Sequence, residues 1–180
     1  CPRNPCKPGR KPNRFGALSK ALVLAISFGT SAIALTTNSF VSEEHGAGGF
    51  CLFANNHAAS IFVDTSDWPG VVRVAADLQT DIRRVSRIVP ALVHDPARAG
   101  PHAVLVGTLG RSAVIDRLAR EKKIEVAGLA GKWEASLIQV VSRPWPGLET
   151  ALVIAGSDKR GTIFGVYDLG EQMGVSPWHW

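Results

Sequence analysis

The chain has 180 residues, 46% hydrophobic and 19% charged, a balance that gives one packed α/β-sized domain plus a leader and a core that needs no disulfide staples. Its formal charge of +5 does not point to nucleic acid. Six of the twenty basic residues fall in residues 1–40, which hold no acidic residue, and the remainder carries 14 basic and 15 acidic side chains.

The first predicted element is a leader over residues 1–34. The basic stretch "KPGRKPNRFGALSK" runs into "ALVLAISFGTSAIAL", fifteen mostly apolar residues from Ala21 to Leu35, with Ala32-Ile33-Ala34 at the spacing a signal peptidase reads. The apolar run is short for a span of about 20 residues. Export is therefore expected, with cleavage near Ala34 and no stable membrane insertion; a membrane anchor at 21–35 is the alternative. The only methionine is Met173, so the sequence is expected to be processed or incomplete at its front. Residues 35–48 read as a linker, and 49–180 as the domain.

Within 49–64, "GFCLFANNHAASIFVD" reads as two short strands around a polar turn at Asn55-Asn56-His57. The next segment changes period. Val71, Val74, Ala75, Leu78, Ile82 and Val85 follow helical spacing, with Ser66 or Asp67 as N-cap and Pro69 in the first turn. "IVPALV" (88–93) and "HAVLVGTL" (102–109) read as strands. "RSAVIDRLAREKK" (111–123) reads as a helix with Val114, Ile115 and Leu118 facing inward. "WEASLIQVVSR" and "TALVIAGS" are strands about the turn "PWPG", and "RGTIFGVYDLGEQMG" is a helix on Ile163, Val166, Leu169 and Met173, ended by Gly174. The order ββαββαββα predicts a single α/β (α+β) layer domain: a mixed sheet with helices packed on it.

Chemistry-bearing patterns are sparse. Cys1, Cys6 and Cys51 make neither a disulfide framework nor a zinc site, and Cys51 is expected to be a buried, unreactive thiol. His45, His57, His94, His102 and His179 lack metal-ligand spacing, and neighbours such as His94 and Asp95 point to opposite faces of a strand. No G-x-S-x-G elbow occurs. "VLVGTLGRSAV" joins a strand to a helix through Gly107 and Gly110, but it lacks both the third glycine of a dinucleotide fingerprint and the Lys-Ser/Thr of a P-loop. It is expected to be a plain turn, with a nucleotide-binding α/β domain as a weak alternative. Asp116, Glu121 and Glu125 are expected to be solvated charges. In "AGSDKRG", Ser157 or Asp158 is expected to cap the last helix, with Gly156 and Gly161 allowing a tight turn. The competing reading places Asp158 and Arg160 in a ligand cleft at a strand's carboxyl end.

The blocks "GKWE…IQVV", "ALVIAGSDKRGTIFGVYDL" and "EQMGVSPWHW", with "IFVDTSDWPGVVRVAADLQTDIRRVSRIVPALV", resemble glycoside hydrolase family 115, the xylan α-1,2-glucuronidases, over roughly residues 50–180. The resemblance implies a secreted, inverting enzyme that removes glucuronic acid or its 4-O-methyl ether from glucuronoxylan. It also implies an N-terminal domain similar to the second domain of chitobiase and β-hexosaminidases, followed by a catalytic TIM barrel. On that footing the chain is expected to stop before the barrel, to carry no catalytic residue and no cofactor or metal, to pack within its polypeptide against the barrel, and to be inactive alone. Asp158, Lys159, Arg160 and Trp178 match family blocks beside the boundary, and Arg160 suits a uronate carboxylate. A free-standing carbohydrate- or protein-binding module is the alternative.

Overall fold

In the computed structural model the described residues are 39–42 and 48–175. The leader, the proposed anchor at 21–35 and Trp178 lie outside them. Strands β1 (Phe53–Ala54) and β2 (His57–Ala58) form an antiparallel hairpin. Its turn is the expected Asn pair: Asn55 and Asn56 have φ of 49° and 65°, the left-handed values that a two-residue type I′ turn demands and that asparagine tolerates. Three strands, not two, come from this region. β3 (Ser60–Val63) leaves the hairpin for a second sheet, because Ile61, Phe62 and Val63 are apolar on both faces, as an inner parallel strand must be.

Helix α1 (Pro69–Ser86) buries Val71, Val74, Ala75, Leu78 and Ile82 as their spacing predicts. Val85 departs from the expectation at 42% exposure, since the stripe has run past the edge of the sheet by the last turn. Pro69 occupies the first turn, but the cap is Trp68, which makes no side-chain cap bond. The expected capping residues are used elsewhere: Ser66 Oγ donates to Asp64 Oδ1 (2.7 Å) and to the Arg111 carbonyl (3.2 Å), and Asp67 turns toward the next strand. Arg87, at φ 65°, closes the helix.

The strand expected over 88–93 shrinks to β4 (Leu92–Val93), because Pro90 has no N–H to give a ladder. A short 3₁₀ turn (Pro96–Arg98) leads to β5 (His102–Thr108), then α2 (Ala113–Arg120), β6 (Ser136–Trp145), β7 (Leu148–Gly156) and α3 (Lys159–Gln172). The large sheet has the order β4-β3-β5-β7-β6, parallel except for β6, which pairs antiparallel with β7 across the Pro146-Gly147 turn.

Side chains alternate between two apolar layers, as period two requires. Ile61, Val63, Val104, Val106, Leu152 and Ile154 face α1 and α3. Phe62, Leu105, Val153 and Ala155 face α2, which contributes the expected Val114, Ile115 and Leu118. The fold is thus the mixed α/β layer domain that the element pattern predicts, with one extra strand in front. Two expectations fail locally. Cys51 is exposed, because it precedes the hairpin and misses both apolar layers. Gly156 and Gly161 are glycines for proximity, not for a turn conformation. A Cβ on Gly156 would lie 2.1 Å from the Thr162 nitrogen, and one on Gly161 would lie 2.2 Å from the Ala135 carbonyl oxygen.

Candidate functional site

A parallel sheet offers a ligand crevice at the carboxyl ends of its strands, where the chain leaves neighbouring strands in opposite directions. Here that point lies between β3 and β5. From β3 the chain crosses one face through α1 to β4, and from β5 it enters α2 on the other face. Residues 64–68, 109–112 and 157–158 make the edge.

The chain's own carboxylates fill this edge. Asp67, 4% exposed, accepts hydrogen bonds from the Thr108 N–H (2.7 Å) and the Trp68 N–H (2.7 Å). Asp64 accepts from the Ser66 N–H and hydroxyl and, at 3.3 Å, from the Ala113 N–H at the start of α2. Asp116, expected to be merely solvated, accepts from the Gly110 N–H at 2.8 Å. Burial opposes the charge of Asp64, but the bonds from Ser66 and Ala113 together outweigh it and hold its pKa below the usual carboxylate value. A phosphate at α2 would need these same N–H donors and would meet these same negative charges. Gly107 follows the same logic: a Cβ there would lie 2.6 Å from Ser112 Cβ, so its role is close strand–helix approach. Ser112 caps α2, and Thr108 Oγ1 bonds to Thr162 Oγ1 at 2.8 Å, tying β5 to α3. The Arg111 guanidinium lies 3.9 Å over the Trp68 ring at the rim.

At the end of β7, Asp158, one of the two expected candidates, caps α3. Its Oδ1 accepts from the Gly161 N–H (2.8 Å) and its Oδ2 from the Glu134 N–H (2.8 Å). These two backbone bonds, the one from Glu134 first, lower its pKa. Ser157 completes the join, donating its N–H to the Ala135 carbonyl and accepting the Ala135 N–H on its hydroxyl. Arg160 is not an open guanidinium: its Nη1 lies 2.9 Å from Glu134 Oε1, and its charge lies 5.7 Å from the Phe164 ring centre. Lys159 is the first residue of α3 and is exposed. The structure therefore brings Asp158 and Arg160 to one loop pair but gives both an internal partner. Glu134, which organises that pair, stands in the block "GKWE", but nothing local ties it to Arg160, 26 positions on at the start of α3.

Two open depressions lie away from this edge. One, of about 360 Å³, is lined by Pro96, Ala97, Arg117, Trp145, Pro146 and Gly147 among others, and the other, of about 560 Å³, includes Lys122, Lys123, Glu125 and Gln139. Among the described residues, no group of three or more His, Cys, Asp or Glu side chains could hold a metal ion, and no helix is long and apolar enough to cross a membrane.

Fold and edge together define an α/β layer domain whose usual ligand crevice is closed by its own side chains. No family model and no curated protein matches the chain. Among solved structures, it is similar to a family 115 4-O-methyl-α-glucuronidase with specificity for decorated arabinogalactans, at 29% identity over 68% of this chain and a TM-score of 0.53. This likeness supports a family 115-like relationship. The chain spans 14% of that enzyme's own chain.

Proposed function

We propose that the chain is the N-terminal, non-catalytic α/β domain of a secreted glycoside hydrolase that removes glucuronic acid or its 4-O-methyl ether from a decorated polysaccharide. The observation that carries this is the 29% identity, over 68% of the chain, to a 4-O-methyl-α-glucuronidase of which the match occupies 14%. The sequence resemblance favours glucuronoxylan as the polymer, whereas that enzyme's specificity is for decorated arabinogalactans. The shared chemistry is the uronyl side chain, so both polymers belong in the test.

The non-catalytic part rests on how the carboxylates are used. Inversion needs an acid and a base about 6.5–9.5 Å apart with room for water between them. Asp64, Asp67, Asp116 and Asp158 instead accept backbone N–H groups. Of the two depressions, the first has no carboxylate and the second has one, Glu125. In this reading the leader directs export, and the domain packs against a catalytic barrel in the same polypeptide.

The test is to read the gene beyond the Trp180 codon and express both the whole open frame and residues 1–180. Release of (4-O-methyl)glucuronic acid from glucuronoxylan or arabinogalactan by the former alone is the expected result. Release by the 180-residue chain overturns the non-catalytic role, and no release by either overturns the hydrolase reading. A stop codon directly after Trp180 favours a free-standing binding module.

A further inference from the structure

The depression beside Trp145 carries a guanidinium stacked on an indole ring, as Arg111 stacks on Trp68 at the opposite edge, but here the pair lines a concave surface. It lies at the amino ends of β5 and β7, where residues 100–101 meet the Pro146-Gly147 turn; the Pro101 carbonyl accepts the Glu149 N–H at 2.8 Å. Its walls are apolar or glycine, from Pro96, Ala97, Trp145, Pro146 and Gly147. Its lining includes one charged side chain, Arg117, and no carboxylate.

Arg117 reaches the depression from the last turn of α2, where the helix dipole favours a cation. Its guanidinium lies 4.8 Å over the Trp145 ring, and Trp145 is itself packed against the core. The ring therefore fixes the guanidinium without consuming its hydrogen-bonding fork. Among the described residues Arg117 has no ion pair, whereas Arg160 has one with Glu134. A held, unpaired guanidinium is the donor that a carboxylate takes bidentately. The depression is open, with a volume of about 360 Å³, so a ligand would lie against it with one face in solvent.

We infer that this depression is a binding subsite for a uronic acid, the carboxylate on Arg117 and the apolar face of the sugar ring against Trp145, Pro146 and Pro96. The ligand class rests on the uronidase reading above; the anionic, ring-sized character of the ligand rests on the depression itself. The site would hold a uronyl unit of the polymer without cleaving it.

The experiment is a ¹H–¹⁵N NMR titration of the 180-residue chain with glucuronic acid, with glucose, acetate and inorganic phosphate as separate arms. Saturable shifts of the Trp145 indole and Gly147 amide with a dissociation constant of about 1 mM, at least about tenfold tighter than in the other arms, are expected. R117Q should abolish them and R117K should recover part of the affinity, with melting temperatures unchanged because Arg117 lies outside the buried core. No shift at these two residues overturns the inference, as does equal affinity for glucose, acetate or phosphate, or unchanged binding by R117Q. Hydrolysis by the longer polypeptide without this binding removes the subsite and leaves the enzyme reading; binding without hydrolysis does the reverse.

Discussion

The two ends of the parallel strands β3, β5 and β7 are chemically opposite. At the carboxyl end, where the topology would place a ligand, the N–H groups of Trp68, Thr108, Gly110, Ala113, Glu134 and Gly161 are accepted by Asp67, Asp116, Asp64 and Asp158. At the amino end, an open depression lined by no carboxylate presents a stacked guanidinium that makes no ion pair among the described residues, although its charge reaches Glu121 four positions on. Topology thus supplies a place for a ligand, but side chains decide whether the place is free. In this domain the conventional crevice has become a fastening that holds α1, α2 and α3 to the sheet.

The comparison breaks most severely if the fastened end is forced apart. Gly156→Ala places a Cβ 2.1 Å from the Thr162 nitrogen, a backbone atom that cannot rotate away. A loss of at least about 3 kcal/mol is expected, read as a lower denaturant midpoint with an unchanged slope. A cost under about 1 kcal/mol would mean that α3 is not seated on β7 as described. Next in size is Asp67→Ala, which strands the buried Thr108 N–H without an acceptor. It should cost about 2–3 kcal/mol, and amide exchange at Thr108 should accelerate more than exchange elsewhere in β5. The amino end offers the contrast: R117Q removes a charge on which no buried hydrogen bond depends, and should leave the midpoint within about 0.5 kcal/mol.

The unequal legibility of the two ends has a physical cause. Helical stripes and turn chemistry are local, so the sequence alone places α1, the inward face of α2, the Asn55-Asn56 turn, the Pro146-Gly147 turn and the α3 cap to within Ser157 or Asp158. What fastens the carboxyl end is not local. Asp67 acts on Thr108, 41 positions away, and Glu134 on Arg160, and neither spacing follows a helix or strand period. That is why Asp67 reads as a helix cap in the sequence while the fold spends it on the neighbouring strand. The same limit applies to Gly107, whose glycine-turn setting suggests phosphate until the distance to Ser112 is known. Arg117 and Trp145, 28 positions apart, meet only through the tertiary fold, so no motif announces the amino-end depression.

Acid sharpens the contrast at the fastened end. Bonds from the Glu134 and Gly161 N–H groups hold the Asp158 pKa below its ordinary value of 3.8, so the charged form is favoured in the folded state. That contribution is present above the ordinary value and is lost as pH falls through the folded one. Asp158→Asn keeps one acceptor oxygen but turns an NH2 toward the other N–H, so it should lower the melting temperature at pH 7 and flatten its decline below about pH 4. Asp81 has the opposite sign. Burial raises its pKa against the partial relief given by Arg84, so its contribution is fullest in acid and declines as pH rises through the folded value. Asp81→Asn should therefore leave the acid limb steep. Identical acid limbs for wild type and Asp158→Asn would show that the cap carries no charge preference.

The smallest expected effect concerns the residue with the strongest sequence claim to a uronate. Arg160 is 64% exposed on its side chain and pairs with a Glu134 carboxylate that is itself 37% exposed, 2.9 Å away. Exposed pairs contribute about 0–1 kcal/mol, so Arg160→Ala should move the unfolding midpoint by less than about 0.5 kcal/mol. The same geometry says what Arg160 can do chemically: a uronate would share the guanidinium with Glu134, against like-charge repulsion, or displace it, trading one carboxylate for another at no electrostatic gain. Glu134→Gln removes the competitor and keeps the side chain's shape. If Arg160 is a latent carboxylate site, this variant should bind glucuronic acid at least about fivefold more tightly than wild type, with shifts centred on Gly161 and Phe164. If Arg160 serves only the loop, Glu134→Gln should leave both affinity and shift pattern unchanged, with every uronate-dependent shift still at Trp145 and Gly147. The second outcome is the expected one, because the guanidinium at the amino end makes no ion pair among the described residues and has none to break.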